Sequence, residues 1–259
     1  MEIFPLSLPS PFRSPVGSRM AAPPPEGEVV MLFSGYKDMP EVRADLAAKV
    51  AKLGGRVVPG VTWRDEITHV VAATFGDYKE TVLGALAAGR WVVTRRFVDR
   101  SAAAGAWKDP RAFVAHDSVL ESRERWGREG ALFRGVRAVI VMTNRQRREV
   151  YGRLVRAGGG EVLEDWGLVE LAENQPGPED VSLVVADCDL LGREDSRHEQ
   201  FLDWLLVARE CGACPPVVYF HLVFEMILQA KAIEPETFSI FSPLVQVVTV
   251  RCSSHSPTV

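Results

Sequence analysis

The sequence is poor in the side chains that build most catalytic and metal centres. Only four cysteines (Cys188, Cys211, Cys214 and Cys252) and five histidines occur in 259 residues. So few and so clustered, the cysteines exclude a secreted disulfide framework and favour a reducing compartment. The "CGAC" at 211–214 has the spacing of a thiol redox pair but the wrong setting. It follows a helix pattern and precedes a strand pattern, whereas a redox pair sits at a helix N-terminus whose dipole lowers the thiol pKa. Gly212 reads instead as a helix C-cap, and no second cysteine pair stands at zinc spacing. The histidines, at 69, 116, 198, 221 and 255, are scattered. His69, inside "THVVA", reads as a strand histidine satisfied by its neighbours. No Ser/His/Asp order and no paired carboxylates emerge, so the sequence leads us to expect no catalytic residue, metal or cofactor. G-x-G-x-x-G is absent, and the "AGGGE" at 157–161 follows a helix rather than joining a strand to one. No apolar run is long enough to span a bilayer, and the proline-broken N-terminus has no signal-peptide pattern. The expectation is a soluble intracellular protein with no membrane partner.

What is present is ordinary globular material, 47% hydrophobic and 25% charged, enough for one large domain or two small ones. The net charge of −4 makes the chain as a whole no polycation. Residues 1–28 hold seven of the 17 prolines and read as a disordered leader. From residue 29 short β-branched runs alternate with helical spacings. "VVMLF" predicts a buried strand, "PEVRADLAAKVAKL" a helix with Pro40 in its first turn, and the following "GG" its stop. "RVV", "THVVA", a helix over 78–88, "WVVT" and a helix ending at Gly105 complete the unit. After a linker over 111–133 the same order returns as "GVRAVIVM", a helix from Arg145, "EVL", "VSLVVA", a helix over 199–211, "PVVY" and "FHLVFEMILQA". The pattern predicts an α/β chain of two tandem units, each a small parallel four-stranded sheet flanked by helices. The units span 29–110 and 134–235, with a tail over 236–259 outside the scheme.

The stretch "LFSG" raises a specific question. Ser34-Gly35 closes a strand, and the glycine is either a tight turn or part of a site where a hydroxyl and an N–H face an anion near a helix start. On local reading both remain open.

Taken in order, "LFSG", the "LGG" before a strand, "THVVA" and "AAGRWVVTRRFVDRSAAAG" resemble the successive signatures of a BRCT domain. "AGGGEVL", "SLVVA" and "PPVVYFHLVFEMIL" resemble them again in weaker form. The aromatic usual in the last helix of a BRCT unit is Phe97 in the first unit and is replaced by Leu222 in the second. "ALAAGRWVVTRRFVDRSAAAGAW" and "RAVIVMTNRQRREVYGRLVRAGG" resemble one branch of tandem BRCT proteins. These are the ankyrin-repeat localisation factors of a structural-maintenance-of-chromosomes complex, in their N-terminal pair. The ankyrin repeats of those longer relatives are absent here, which leaves a fragment, a short isoform or a different assignment open.

The resemblance implies a non-catalytic, nuclear reader of phosphoserine or phosphothreonine peptides in the DNA-damage response and DNA repair. Its partners would be phosphorylated repair proteins, with a postreplication-repair ubiquitin ligase suggested by the branch. The phosphate pocket it implies uses a strand-end Ser or Thr, the N–H of the next glycine and a lysine in the second helix. Ser34 and Gly35 match the first two. Thr81 stands where the lysine is expected, with Lys79 two residues earlier. Residues two apart do not share a helix face, so Lys79 serves only if the helix starts irregularly or the side chain wraps back. A lost cation would remove a charged hydrogen bond worth roughly 1.5–3 kcal/mol. Leu83 is placed by the resemblance on a second pocket between the units, where Gly212 replaces a larger residue.

Two further features compete for function. Residues 123–156 carry ten arginines against three glutamates. They are either a solvated linker and helix face, or a basic surface for DNA backbone or acidic partner segments, with Arg145, Arg147, Arg148 and Arg153 as contacts. Aromatic interleaving is too sparse for stacking on single strands. Ser10, Ser14, Ser242 and Ser256 each precede a proline and fit proline-directed phosphorylation, a common pattern. The open alternatives to a phosphopeptide reader are therefore a DNA-binding module and a phosphate-independent interaction scaffold.

Overall fold

The computed structural model of the chain describes residues 28–76, 79–142, 144–163, 180–186, 204 and 215–230. The leader up to residue 27, the "CGAC" segment, the expected helix over 199–211 apart from Trp204, the four Ser-Pro sites and the tail lie outside the described residues.

The first unit runs β1 (Val30–Ser34), α1 (Pro40–Lys52), β2 (Arg56–Val57), β3 (His69–Ala72), α2 (Glu80–Ala87), β4 (Trp91–Thr94) and α3 (Arg95–Ala104). Its strands form one parallel sheet in the order β2-β1-β3-β4. α1 begins at Pro40, whose missing N–H costs nothing there, and carries Glu41 in its first turn and Lys49 and Lys52 in its last. After a 3-10 turn (Pro110–Phe113) and a linker helix α4 (Ser118–Glu129), the second unit follows. Its described elements are β5 (Arg137–Val141), α5 (Arg145–Ala157), β6 (Glu161–Val162), β7 (Leu183–Ala186), β8 (Val217–Tyr219) and α6 (Phe220–Gln229). The sheet order β6-β5-β7-β8 is again all parallel. Strands buried on both faces explain why "VMLFS" and "HVVA" read as continuous runs rather than alternating ones.

Alternation nonetheless assigns the faces. Val30, Leu32, Val70, Ala72 and Val92 pack with α2, whereas Met31, Phe33, Val71 and Val93 pack with Leu46 and Val50 of α1 and Phe97 and Val98 of α3. Phe97 fills the α3 position with its ring against His69, Trp107 and Phe113.

α2 is buried from Thr81 to Ala87 without a break. An all-apolar helix of this kind needs cover on every side, and it has it. One face lies on its own sheet, and the rest packs on α5, α6 and α4, so that one hydrophobic cluster runs through both units.

The linker is more ordered than its composition suggests. α4 closes the far end of α2: Ser122 Oγ donates to the Leu86 carbonyl, and Arg123 donates to Gly89 O at 2.7 Å. Leu86 O also accepts the Gly89 N–H, so the hydroxyl adds a second bond in the turn that ends the helix, and the guanidinium meets the negative end of the dipole. Phe133, fully buried, then locks the linker against the second unit: a side chain at Gly158 would collide with its ring, and one at Gly160 with Val155 and the Phe133 Cβ. This is the use of "AGGG": a close approach of chain to chain, with Gly159 in the left-handed region at φ +81°.

His69 sits in the sheet stacked on Phe97, with Nδ1 2.8 Å from Thr68 Oγ1. Burial, and after it the charges of Arg123 and Arg90, push its pKa down to about 4. The unfolded chain binds that proton near pH 6.5, so this contribution to stability is intact above pH 6.5 and is lost as pH falls toward 4. The loss should be about 2 kcal/mol by pH 5. Leu183 stands at the equivalent position of the second unit, opposite β5 as His69 stands opposite β1. His69→Leu should therefore fold and lose this part of the acid sensitivity. The check is the difference between wild-type and variant urea midpoints from pH 7.5 to 5, a difference to which titrating carboxylates common to both contribute nothing.

Candidate phosphate-binding site

The site is built where β1 and α2 meet. Period-two alternation turns Ser34 to the α2 face, and there Thr81 Oγ1 donates to Ser34 Oγ at 2.9 Å. Both residues are almost fully buried, Ser34 at 4% exposure and Thr81 at 3%. Thr81 thus holds the serine hydroxyl in place. A hydroxyl that accepts this bond keeps its own proton to donate elsewhere.

Gly35 follows with φ +86°, so it is a turn residue that a side chain would strain. It is also a point of close approach. A Cβ there would stand 3.0 Å from Ala73 Cβ and 3.3 Å from Lys79 Nζ. The second distance bears on the question of the cation: the Lys79 ammonium lies over Gly35, the residue after Ser34. It gets there because Lys79 is not on the helix wheel at all. It is the N-cap of α2, in extended backbone (φ −63°, ψ 145°), and its exposed side chain folds back across the strand end. The helix itself starts with no side-chain cap on its first N–H groups. The ammonium and the positive end of the helix both favour an anion bound between them.

Ser34 pairs with Ala72 at the end of β3, and Val141 pairs with Ala186 at the end of β7. In the second unit the place of Ser34-Gly35 is therefore taken by Val141-Met142, both buried and apolar. Among the described residues the hydroxyl–glycine–ammonium group occurs in the first unit alone.

No protein-family model matches the chain, and no curated protein does. Solved structures do. The S. pombe Brc1 BRCT5-BRCT6 pair aligns over 80% of this chain and 94% of its own, at 16% identity and a TM-score of 0.52. The fold is a tandem BRCT pair. Also similar are Rtt107p in complex with a phosphorylated histone (11% identity, TM-score 0.49, covering 81% of this chain and 90% of that one) and Rad4 BRCT1,2 in complex with an Mdb1 phosphopeptide (14%, 0.30, 82% and 96%).

The other expected BRCT site residues fall differently. Leu83 is 1% exposed and belongs to the core under α2, so it lines no open pocket in this state. Its helical position faces packing because α2 is enclosed on all sides. Of the arginine-rich stretch, much is already engaged. Arg123 lies over Trp91 at 4.6 Å, and Arg125 is buried with one bond to Gly130 O. Arg137 pairs with Asp180 and Glu161. Arg145 pairs with Glu149, Arg147 lies 5.5 Å over the Phe220 ring, and Arg148 is half-buried. Arg153 crosses between units to Glu80 at 2.6 and 3.0 Å. Glu80 was silent in the sequence; nothing local marks a carboxylate whose partner is 73 residues away.

Gly35→Ala should destabilise the protein by more than the about 1–2 kcal/mol of a left-handed backbone alone. Gly54, also left-handed at φ +77° but with nothing within 4 Å, supplies the control. Denaturant unfolding of the two alanine variants should show Gly35→Ala to be the costlier; equal losses would mean that the close approach over Gly35 contributes nothing.

Proposed function

We propose that the chain is a non-catalytic nuclear reader of phosphoserine or phosphothreonine peptides, acting as a scaffold in the DNA-damage response and DNA repair, with Ser34, Gly35 and Lys79 as its phosphate pocket. The carrying observation is the Lys79 ammonium folded over Gly35 beside a hydroxyl held by Thr81. A hydroxyl, a backbone N–H and an ammonium are the donors a dianion takes up in short charge-assisted bonds. The helix start adds its partial positive charge. The tandem BRCT resemblance supports the same reading, and the branch likeness favours a phosphorylated postreplication-repair ubiquitin ligase as partner. Thr81, in place of the family's lysine, supports Ser34 while Lys79 supplies the charge. The DNA-binding alternative is weakened by the number of arginines already spent in ion pairs and packing.

Fluorescence anisotropy with degenerate phosphoserine and phosphothreonine peptide pools, and their unphosphorylated counterparts, tests the pocket. Binding should require the phosphate and weaken about tenfold or more, or about 1.4 kcal/mol, in both Ser34→Ala and Lys79→Met. Equal binding of both peptide forms would make Ser34-Gly35 a turn and nothing else. Duplex DNA in a salt titration addresses the alternative, since backbone binding must fall steeply with salt.

A further inference from the structure

Glu80 stands in an awkward place for a phosphate reader. It is the first residue of α2, between Lys79, whose ammonium covers Gly35, and Thr81, which bonds Ser34. A carboxylate at this position favours the helix through the dipole. Turned toward the pocket, it would also compete with an incoming anion for Lys79 and repel it. It is turned elsewhere. Arg153 of α5 grips both carboxylate oxygens in a fork, Nε to Oε1 at 2.6 Å and a terminal nitrogen to Oε2 at 3.0 Å. The Glu80 side chain is 18% exposed and that of Arg153 33%, so solvent screens the pair only in part. Hydrogen bonding to Glu80, and behind it the nearby Glu149, hold the Arg153 guanidinium firmly charged. Glu149 is in turn paired with Arg145 at 3.0 Å. A line of alternating charges thus runs from the pocket rim of the first unit along α5 of the second.

We infer that Arg153 is a positioning residue for the phosphate pocket: by holding and neutralising Glu80, it makes the start of α2 able to accept a dianion. This rests on the phosphate reading above. It adds that a residue of the second unit sets the charge of a pocket whose donors all lie in the first. The ion pair is more than a fastening between units, because its two halves have opposite effects on the ligand. Removing Arg153 frees a negative charge beside the phosphate. Removing the charge of Glu80 frees a positive one.

The experiment uses the full chain with the same phosphorylated and unphosphorylated peptide pools, in wild type, Ser34→Ala, Arg153→Gln, Glu80→Gln and the double variant. Unfolding midpoints are recorded for each. Arg153→Gln should weaken phosphopeptide binding roughly fivefold to tenfold, as expected for a like charge brought beside a bound anion. Glu80→Gln should bind as well as wild type or better, and the double variant should return to within about twofold of wild type. If Glu80→Gln loses affinity in step with Arg153→Gln, the pair is a fastening only and the inference is overturned. Should Arg153→Gln fail to fold, Glu80→Gln decides alone, since a loss of affinity there has the wrong sign. If wild type binds phosphopeptides, Ser34→Ala abolishes it and Arg153→Gln changes nothing, this inference falls while the pocket stands. If wild type shows no phosphate-dependent binding, the pocket reading falls and takes the inference with it.

Discussion

The architecture depends on one helix that has no exposed face. α2 carries buried side chains at every position from Thr81 to Ala87, so its own sheet can satisfy only part of it. The second unit and the linker helix supply the remainder, and in doing so they fix how the two BRCT units sit. Apolar burial of this kind sets no direction by itself. Direction comes from the two ends of α2, where the polar groups are. At the C-terminal end Ser122 and Arg123 bond the carbonyls of Leu86 and Gly89, and at the N-terminal end Arg153 takes up Glu80. Each end is tied to a different part of the chain, which leaves the helix one orientation.

That orientation carries the positive end of α2 to the strand end where Ser34 and Gly35 lie. The proposed pocket is therefore a by-product of the packing that joins the units. The sheet alternation turns Ser34 to α2, the left-handed glycine opens room above it, and the extended N-cap lets a lysine reach back. None of the three is a special device. Their coincidence at one point gives the proposed site its chemistry, and it does not recur at Val141-Met142 among the described residues.

The strands, five of the seven described helices and the parallel character of the sheets were legible because they are written in local periodicity and glycine stops. α4 was not: "SVLESRERWGRE" is too polar to announce a buried face, and its role lies in two side-chain bonds to another helix. Lys79 was legible only as a doubt. Helical spacing argues against it, whereas the extended backbone of the N-cap, which no spacing rule describes, brings its ammonium over Gly35. The resemblance places Leu83 on a second pocket between the units, whereas here it is buried where the second unit closes over α2. The arginine stretch looked like a surface because its acidic partners, Glu80, Glu161 and Asp180, lie outside it in sequence.

The shared helix also bears on what becomes of an incomplete chain. A product ending within the linker would retain every donor of the pocket, yet it would present to water the side of α2 now covered by α5 and α6. An apolar surface of that kind is what chaperones and proteolytic surveillance recognise. Truncated forms would then be cleared instead of lingering as half-folded units.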